Sequence, residues 1–372
     1  MQPEEQTLFL RGRRALLAAV RLPHTSSFEV EEHLDELAEL AVSTGCEVVD
    51  RKIQSRSSPH PATYMGSGKA RQLGERDDWD VLILDHDLSP SQTQNLEKIV
   101  DRPVIDRSAL ILQLFSQRAR TREARTQVEL AQLQYMLPRL TRYWTHLSRQ
   151  PGSTGVRGGM GEKQIEIDRR IIRRRISRLK KDLEKIAQTR KTQRRGRKQV
   201  FEIALAGYTN VGKTTLFNAI TDSDAFVQDR LFATLDSKLR KASLGEGYKA
   251  VFADTVGFVR KLPPHLVASF RSTLEEVVFA DLVLHVVDAS HPQWEDQKRI
   301  GEEVLEDLEV KPDRVLTVYN KIDAFEGTPR FEGGVAVSAV TGEGLDRLRA
   351  VIRGRMPEPA WMSRIPAEAR PS

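Results

Sequence analysis

The chain has 372 residues, 39% of them hydrophobic and 30% charged, with a formal net charge of +6, so two or three domains are expected. Its single cysteine, Cys46, excludes an internal disulfide, and its eight histidines show no metal-ligand spacing, which argues against a zinc site. Because no apolar run reaches the ~20 residues that cross a bilayer and the N-terminus lacks a signal-peptide pattern, we expect a cytoplasmic protein with no membrane partner.

Residues 1–109 are predicted to form a small α/β domain. Ser89 and Pro90 are typical of a helix N-cap and of the first helical position. Strands that alternate with helices favour a mostly parallel sheet. The predicted strands are residues 15–22, 47–53, 81–84 and 103–105, and the predicted helices are residues 28–43 and 90–100.

The segment 66–69, Gly-Ser-Gly-Lys, is similar to half of a phosphate-binding loop. It lacks an earlier glycine at the required spacing, and Ala70 stands where a serine or threonine would bind magnesium. A tight turn into a short helix over residues 69–73 is therefore the favoured interpretation.

Residues 110–198 are predicted to form a helical hairpin and a linker. Leucine and tryptophan residues between 130 and 147 recur at intervals of three and four, which predicts one long helix over residues 110–150, interrupted at Pro138. A glycine-rich segment follows at residues 151–161, and isoleucines and leucines over residues 165–186 predict a second helix. Two apolar stripes joined by a loop indicate an antiparallel pair.

Positive charge is concentrated in this hairpin. Between Arg157 and Lys198 there are 17 Lys or Arg and 5 Asp or Glu residues, a net of +12, so the rest of the chain has 6 − 12 = −6. A basic segment on an otherwise acidic protein favours contact with RNA, and the alternative is a solvated coiled-coil face. The candidate RNA contacts are Arg149, Arg157, Arg169, Arg170, Arg173, Arg174 and Arg175.

Residues 199–356 are predicted to form a doubly wound α/β domain, and a proline-containing tail follows at residues 357–372. The predicted strands are residues 200–205, 251–253, 282–287, 315–319 and 335–337, with helices beginning near residues 215, 269, 293 and 345.

Between the first strand and the first helix of this domain, residues 207–214 (GYTNVGKT) have the spacing of a phosphate-binding loop. Its backbone N–H groups are expected to surround phosphates, with Lys213 at the β- and γ-phosphates and Thr214 on Mg²⁺. The candidate phosphate-binding residues are Gly207, Tyr208, Thr209, Asn210, Val211, Gly212, Lys213 and Thr214.

Two later segments are expected to complete the phosphate and magnesium site. Asp254 follows an apolar strand and is placed to bind Mg²⁺ through water, and Gly257 can donate its backbone N–H to the γ-phosphate. Thr234 is the candidate for a second hydroxyl on Mg²⁺ from a loop that GTP orders, and the alternative is a loop threonine without a ligand. Lys213, Thr234 and Gly257 are the candidate catalytic residues. The other candidates here are Phe232, Ala233, Leu235, Asp236, Thr255 and Val256.

The segment 320–323, Asn-Lys-Ile-Asp, predicts guanine recognition. A carboxylate such as that of Asp323 can accept two hydrogen bonds from the N–H edge of guanine, whereas adenine cannot supply the same pair. The candidate base-contacting residues are Asn320, Lys321, Ile322 and Asp323, with Ser338, Ala339 and Val340 after the last strand. Together with the phosphate-binding loop, this segment predicts a GTPase that uses GTP and Mg²⁺.

The chain resembles the HflX family of translational GTPases over about residues 47–350. The resemblance rests on GYTNVGKTTLFN, LFATLD and DTVGFVRKLPPHLVASFRSTLEE, and in the first half on ATYMGSGKA, DHDLSPSQTQNLE, VIDRSALILQLFSQRART and VELAQLQYMLPRL. It implies a GTPase that binds the large ribosomal subunit and, in several members, splits stalled or stressed ribosomes. The family usually carries serine where Thr214 stands, and residues 153–166 depart from its usual glycine-rich form.

Phe258 follows Gly257 at the position where Ras-like GTPases commonly carry a glutamine that orients the attacking water. Because a phenyl ring cannot orient water, we expect slow GTP hydrolysis by the isolated protein and stimulation by a partner. The alternative is that another side chain of the same chain substitutes.

The sequence therefore predicts an N-terminal α/β domain and a basic helical hairpin that bind ribosomal RNA, and a Ras-like P-loop domain that switches this binding with GTP. Away from the large ribosomal subunit, we expect a monomer. Three alternatives stay open: a GTP-dependent switch that recruits a protein effector without RNA contact, an ATP-using remodelling enzyme, and a hairpin that only dimerises the protein.

Overall fold

The computed structural model describes residues 10–140, 159–195, 200–222, 232, 238–260, 274–325 and 331–358. The described part of the chain separates into two compact units, one that extends to Ile186 and one that begins at Ala187. The first unit contains the predicted N-terminal domain and most of the predicted hairpin, and the division into four parts stays a prediction. No helix in the described ranges is long and apolar enough to cross a membrane.

A four-stranded parallel sheet forms the centre of the first unit. Its spatial order is β2-β1-β3-β4, with β1 (Arg14–Arg21), β2 (Glu47–Ser55), β3 (Val81–Leu84) and β4 (Val104–Asp106). The connecting helices are α1 (Ser27–Ser43), α2 (Ser67–Gly74) and α3 (Pro90–Val100). The expected mixed α/β class and mostly parallel sheet are confirmed.

Local signals in the sequence account for these elements. The Ser26 and Ser89 side chains accept hydrogen bonds from backbone N–H groups and cap α1 and α3. Strand β3 is apolar at every position because both faces of the sheet are covered. Trp79 packs with Leu82 in the core on one of these faces.

The described part of the predicted helix over residues 110–150 is broken, so the expectation of one helix is wrong. The chain forms α4 (Arg107–Arg118), then α5 (Arg122–Met136), then a short 3₁₀ turn (Leu137–Arg139) that contains Pro138. Ala119 is extended, and Thr121 accepts a hydrogen bond from the Ala124 N–H and caps α5. The apolar periodicity that predicted the helix begins only at residue 130, so it gave no signal for this break, which the local cap sets.

The helix predicted as the second arm of the hairpin is α6 (Gly159–Arg195), which has 37 residues and begins within the predicted glycine-rich segment. Leu179 is buried, whereas Ile172, Ile176 and Leu183 are half-buried. Arg175 makes a bidentate ion pair with Glu129 of α5, at 2.6 and 2.9 Å. Arg175 therefore contacts α5, and its assignment as an RNA contact stays a prediction.

The second unit contains a six-stranded sheet in the order β10-β9-β8-β5-β7-β6. Its strands are β5 (Phe201–Gly207), β6 (Lys238–Gly245), β7 (Tyr248–Asp254), β8 (Leu282–Asp288), β9 (Val315–Asn320) and β10 (Gly334–Ala336). The helices here are α7 (Lys213–Thr221), α8 (Glu275–Phe279), α9 (Trp294–Asp307) and α10 (Leu345–Arg353). The helix predicted near residue 269 begins outside the described residues.

Five of these strands run parallel, and β6 pairs antiparallel with β7 at the sheet edge. The carboxyl ends of β5, β7, β8 and β9 therefore meet at one edge of the sheet. This is the edge at which open α/β sheets bind ligands.

Candidate nucleotide-binding site

The predicted phosphate-binding loop connects the end of β5 to the start of α7, which is the context that its motif requires. Gly207 and Gly212 have φ angles of 147° and 86°, and each backbone passes close to another strand. A Cβ at Gly207 would lie 2.1 Å from the Val286 carbonyl oxygen, and one at Gly212 would lie 2.4 Å from Asn320 Nδ2. Both positions therefore require glycine.

Lys213 is buried at the first position of α7, beneath the loop. Its Nζ donates hydrogen bonds to the carbonyl oxygens of Gly207, at 3.1 Å, and Tyr208, at 2.5 Å. Burial lowers the pKa of Lys213 to about 8, and the Asp254 carboxylate opposes this shift. These contacts hold the ammonium group inside the turn of the loop.

Thr214 and Asp254 place two oxygen ligands together. The Thr214 hydroxyl donates a 2.8 Å hydrogen bond to Asp254 Oδ2, and Asp254 is fully buried at the end of β7. No cluster of three His, Cys, Asp or Glu side chains that could hold a metal occurs within the described ranges. One carboxylate and one hydroxyl, completed by phosphate oxygens, fit the ligand set typical of Mg²⁺.

The loop after Asp254 lies against the phosphate-binding loop. The Thr255 hydroxyl donates to the Leu205 carbonyl, and the backbones of Tyr208 and Phe258 form a parallel β-bridge. The Phe258 side chain is 1% exposed, so its ring belongs to the core. A Cβ at Gly257 would lie 3.0 Å from Lys213 Nζ, which places this glycine beside the loop's lysine.

Asn320 connects the two predicted halves of the site. It is 1% exposed, its Nδ2 donates to the Val211 carbonyl at 2.9 Å, and its Oδ1 accepts from the Ala339 N–H at 3.0 Å. Lys321 Nζ donates to the Asn210 carbonyl at 2.9 Å and makes an ion pair with Asp288 at 2.6 Å. These two residues attach the phosphate-binding loop to the loops after β9 and β10.

The predicted base-contacting residues lie together at the ends of β9 and β10. Asp323 is exposed in a short 3₁₀ turn (Ile322–Ala324) directly after Lys321. Ser338 is fully buried, and its hydroxyl accepts a hydrogen bond from the Thr341 N–H, whereas Val340 is 78% exposed. An exposed carboxylate beside buried, ordered backbone is an arrangement that can accept hydrogen bonds from a ligand.

The remaining candidates divide into described and undescribed residues. Phe232 is buried and has a φ angle of 53°. Thr209, Thr255 and Val256 are also buried, whereas Asn210 is exposed. The candidates Ala233, Thr234, Leu235, Asp236, Arg149 and Arg157 lie outside the described residues.

Three residues near the site were not singled out from the sequence. Asp288 pairs with Lys321, and its position at the end of an apolar strand was the available signal. Arg260 donates its backbone N–H to the Tyr208 hydroxyl at 2.9 Å. His285 is buried in β8 under α9, and neither ring nitrogen has a hydrogen-bond partner in the part of the chain that is described. Burial lowers the pKa of His285 to about 4.

Family models match three consecutive parts of the chain. A model described as GTP-binding GTPase N-terminal matches residues 31–116, and one described as GTP-binding GTPase Middle Region matches residues 118–197. A model described as 50S ribosome-binding GTPase matches residues 202–321. The last match contains the phosphate-binding loop, Asp254, Gly257, Asn320 and Lys321.

Curated relatives match almost the whole chain. The GTPase HflX of Magnetococcus marinus is 46% identical over 96% of this chain and 88% of its own length. The GTPase HflX of Escherichia coli is 41% identical over 93% of this chain and 83% of its own length. A solved structure described as SsGBP in complex with GDP covers 92% of this chain and 98% of its own at 24% identity, with a TM-score of 0.50, and shows a shared fold.

Proposed function

The chain belongs to the HflX family of GTPases and is a GTP-hydrolysing enzyme, and on that premise we propose that it binds the large ribosomal subunit in its GTP state and splits or rescues stalled ribosomes. Hydrolysis of GTP then releases it. The main structural support is that one chain combines a nucleotide-binding site with a long helix that carries a row of exposed basic residues.

In the proposed mechanism, the base is selected by Asp323. Its exposed carboxylate accepts two hydrogen bonds from guanine, while backbone groups of Ser338, Ala339 and Val340 line the pocket. Asn320 and Lys321 keep this pocket at a constant distance from the phosphate-binding loop, because they hydrogen bond to Val211 and Asn210. One nucleotide is thereby held at both ends.

The phosphates lie over the loop from Gly207 to Thr214, where backbone N–H groups and the N-terminus of α7 favour negative charge. Lys213 donates to the β- and γ-phosphates, and Gly257 donates its N–H to the γ-phosphate. Thr214 and Asp254 would hold Mg²⁺, with Thr234 as the further ligand proposed from the sequence. The metal, when bound, supplies positive charge that stabilises the phosphate oxygens during hydrolysis.

The water that attacks the γ-phosphate lacks an orienting side chain at the usual position. Phe258 carries no polar group, and its ring is buried. Lys213 and Gly257 can stabilise charge but do not position the nucleophile. We therefore expect the large ribosomal subunit to accelerate hydrolysis by completing the site.

The proposed RNA contact is a basic stripe on α6. Its members are Arg170, Arg174, Arg178, Lys181 and Lys185, all exposed, and they recur at intervals of four, four, three and four. At 100° per residue they fall within one sector of the helix, opposite Leu179, and they extend over about 22 Å. A linear row of cations of this length suits the phosphates of an RNA strand or duplex.

The first experiment neutralises this basic stripe by replacing its five residues with glutamine. Binding to purified large subunits, with a non-hydrolysable GTP analogue present, should weaken, and the salt slope of log K should fall by about 0.7–0.9 for each phosphate that the variant no longer neutralises. A matched control replaces five scattered exposed cations: Arg51, Arg71, Lys249, Lys311 and Arg347. Equal effects in both variants would show that the stripe has no specific part in binding.

The second experiment measures phosphate release with and without large subunits at fixed magnesium. We expect slow phosphate release by the protein alone and faster release with subunits. Partner groups that complete the sites of other GTPases increase the rate of hydrolysis by a factor of roughly 10³ to 10⁵, and ordering of a loop alone would give a smaller increase. Equal rates, with binding confirmed by sedimentation, would show that the chain carries its own water-positioning group.

A further inference from the structure

The loop after β7 is attached to the phosphate-binding loop by its backbone. The Phe258 N–H donates to the Gly207 carbonyl at 2.9 Å, and the Thr209 N–H donates to the Phe258 carbonyl at 2.7 Å. The Tyr208–Phe258 bridge lies beyond Leu205 and Asp254, where the two strands are last paired within the sheet, and it is shifted by one residue relative to that register. Movement of either loop away from the other would break both hydrogen bonds.

Gly257 lies within this paired region. A Cβ there would be 2.8 Å from the Thr209 Cα and 3.0 Å from Lys213 Nζ, so the Gly257 backbone passes directly beside the lysine. The pairing thus sets the distance between the Gly257 N–H and the loop that holds the phosphates. A hydrogen bond from this N–H depends on that distance, because its strength falls steeply when the geometry is distorted.

Arg260 contacts the phosphate-binding loop through its backbone and the N-terminus of α9 through its side chain. Its backbone N–H donates to the Tyr208 hydroxyl at 2.9 Å. Its guanidinium group donates to Gln293 Oε1 at 2.8 Å and pairs with Asp296 Oδ2 at 2.7 Å, at the N-terminus of α9. The guanidinium side chain is only 10% exposed, so this ion pair is shielded more than an ordinary surface pair.

We propose that Tyr208 and Arg260 are positioning residues for the γ-phosphate: they hold the Gly257 N–H at the phosphate-binding loop and connect it to α9. This proposal rests on the proposed function, in which Gly257 contacts the γ-phosphate of GTP. GDP lacks the γ-phosphate that the Gly257 N–H contacts, so a shift of Gly257 should affect GTP more than GDP. Tyr208 and Arg260 therefore act on the preference for GTP over GDP and on the rate of hydrolysis more than on GDP binding.

Two variants test the proposal with little disturbance of the fold. Tyr208→Phe removes only the hydroxyl, and Arg260→Met keeps the apolar stem of the side chain but removes its charge and donors. Affinities for fluorescent GDP and for a fluorescent non-hydrolysable GTP analogue are measured for each. We expect GDP affinity within about twofold of wild type and a decrease of about 2- to 10-fold in the preference for the analogue, the range of one or two hydrogen bonds.

Further measurements separate positioning from general stability. In steady-state hydrolysis, kcat should fall more than KM changes. The preference for the GTP analogue, expressed as a free energy, should fall less in the double variant than the sum of the decreases in the two single variants, because both residues act on one loop. Arg260→Lys should restore part of the preference, since it keeps the charge that pairs with Asp296.

The control variant is Arg299→Met. Arg299 also pairs with Asp296, but its side chain is 60% exposed, and within the described residues it makes no contact with the loop after β7. It should keep the wild-type nucleotide preference. Equal weakening of GDP and analogue in Tyr208→Phe or Arg260→Met, or no change in either, would overturn the proposal. A wild-type protein that binds neither nucleotide would instead overturn the proposed function.

Discussion

Asn320 is expected to stabilise the nucleotide site before any nucleotide binds. Both polar atoms of its side chain are used within the protein, one on the Val211 carbonyl and one on the Ala339 N–H. Because Asn320 is 1% exposed, water cannot easily replace these hydrogen bonds. The substitution Asn320→Ala therefore leaves two buried backbone groups without their partner.

The magnitude follows from these two groups. Each unsatisfied buried donor or acceptor costs about 1–3 kcal/mol, so Asn320→Ala should lower the free energy of unfolding by about 2–6 kcal/mol. This is a large part of the roughly 5–15 kcal/mol that is typical of a folded domain. Asp323 is three residues away but exposed, so Asp323→Ala should change the free energy of unfolding by about 0.5 kcal/mol or less.

The assay is urea unfolding of the nucleotide-free protein for wild type and both variants. The measured transition is the unfolding of the second unit. Fluorescent GDP binding is then measured under conditions in which every variant is folded. We expect Asn320→Ala to be destabilised and to bind GDP weakly, and Asp323→Ala to be stable and to bind GDP weakly. If Asn320→Ala unfolds at the same urea concentration as Asp323→Ala, the two hydrogen bonds of Asn320 do not have this structural role.

Three further outcomes are expected. Asp323→Asn should lose several kcal/mol of GTP affinity, because its amide no longer offers two acceptors; an unchanged preference for GTP over ATP in competition titrations would refute this. Lys213→Ala should retain its fold by circular dichroism but show no GTP turnover with large subunits, and wild-type turnover would show that the lysine is misassigned. His285 is neutral in the native state, with its pKa lowered to about 4 from 6.5 by burial, opposed by Glu302 and reinforced by Lys298 and Lys213. The stabilisation of the folded state by the neutral imidazole of His285 is complete above pH 6.5 and is lost as the pH falls towards 4. Between pH 7 and pH 5, the free energy of unfolding should therefore fall by about 2 kcal/mol more in wild type than in His285→Leu.

Much of the second unit was predictable because its signals are local. The phosphate-binding loop requires a strand before it and a helix after it, and both are confirmed. Asp254 and Asn320 end apolar strands, and parallel strands bring their carboxyl ends to one edge. Sequence order and strand period were therefore sufficient to predict which residues lie together.

The features that were missed depend on contacts distant in the sequence. Strand β6 has few buried positions because it lies at the sheet edge, so its apolar pattern is weak. The break between α4 and α5 contains no glycine or proline and is set by the Thr121 cap. The contacts from Arg260 to Tyr208 and to α9 join residues 33 or more positions apart, and no spacing rule predicts them.

Sedimentation of purified large ribosomal subunits with the protein tests the central claim most directly. The protein is incubated with GTP, with GDP and with a non-hydrolysable GTP analogue at one salt concentration, and the pelleted fraction is measured. The proposed switch predicts that the protein pellets with subunits in the presence of the analogue and stays in the supernatant with GDP. Equal pelleting with GDP and the analogue, or no pelleting with either, would contradict a GTP-controlled association with the large subunit.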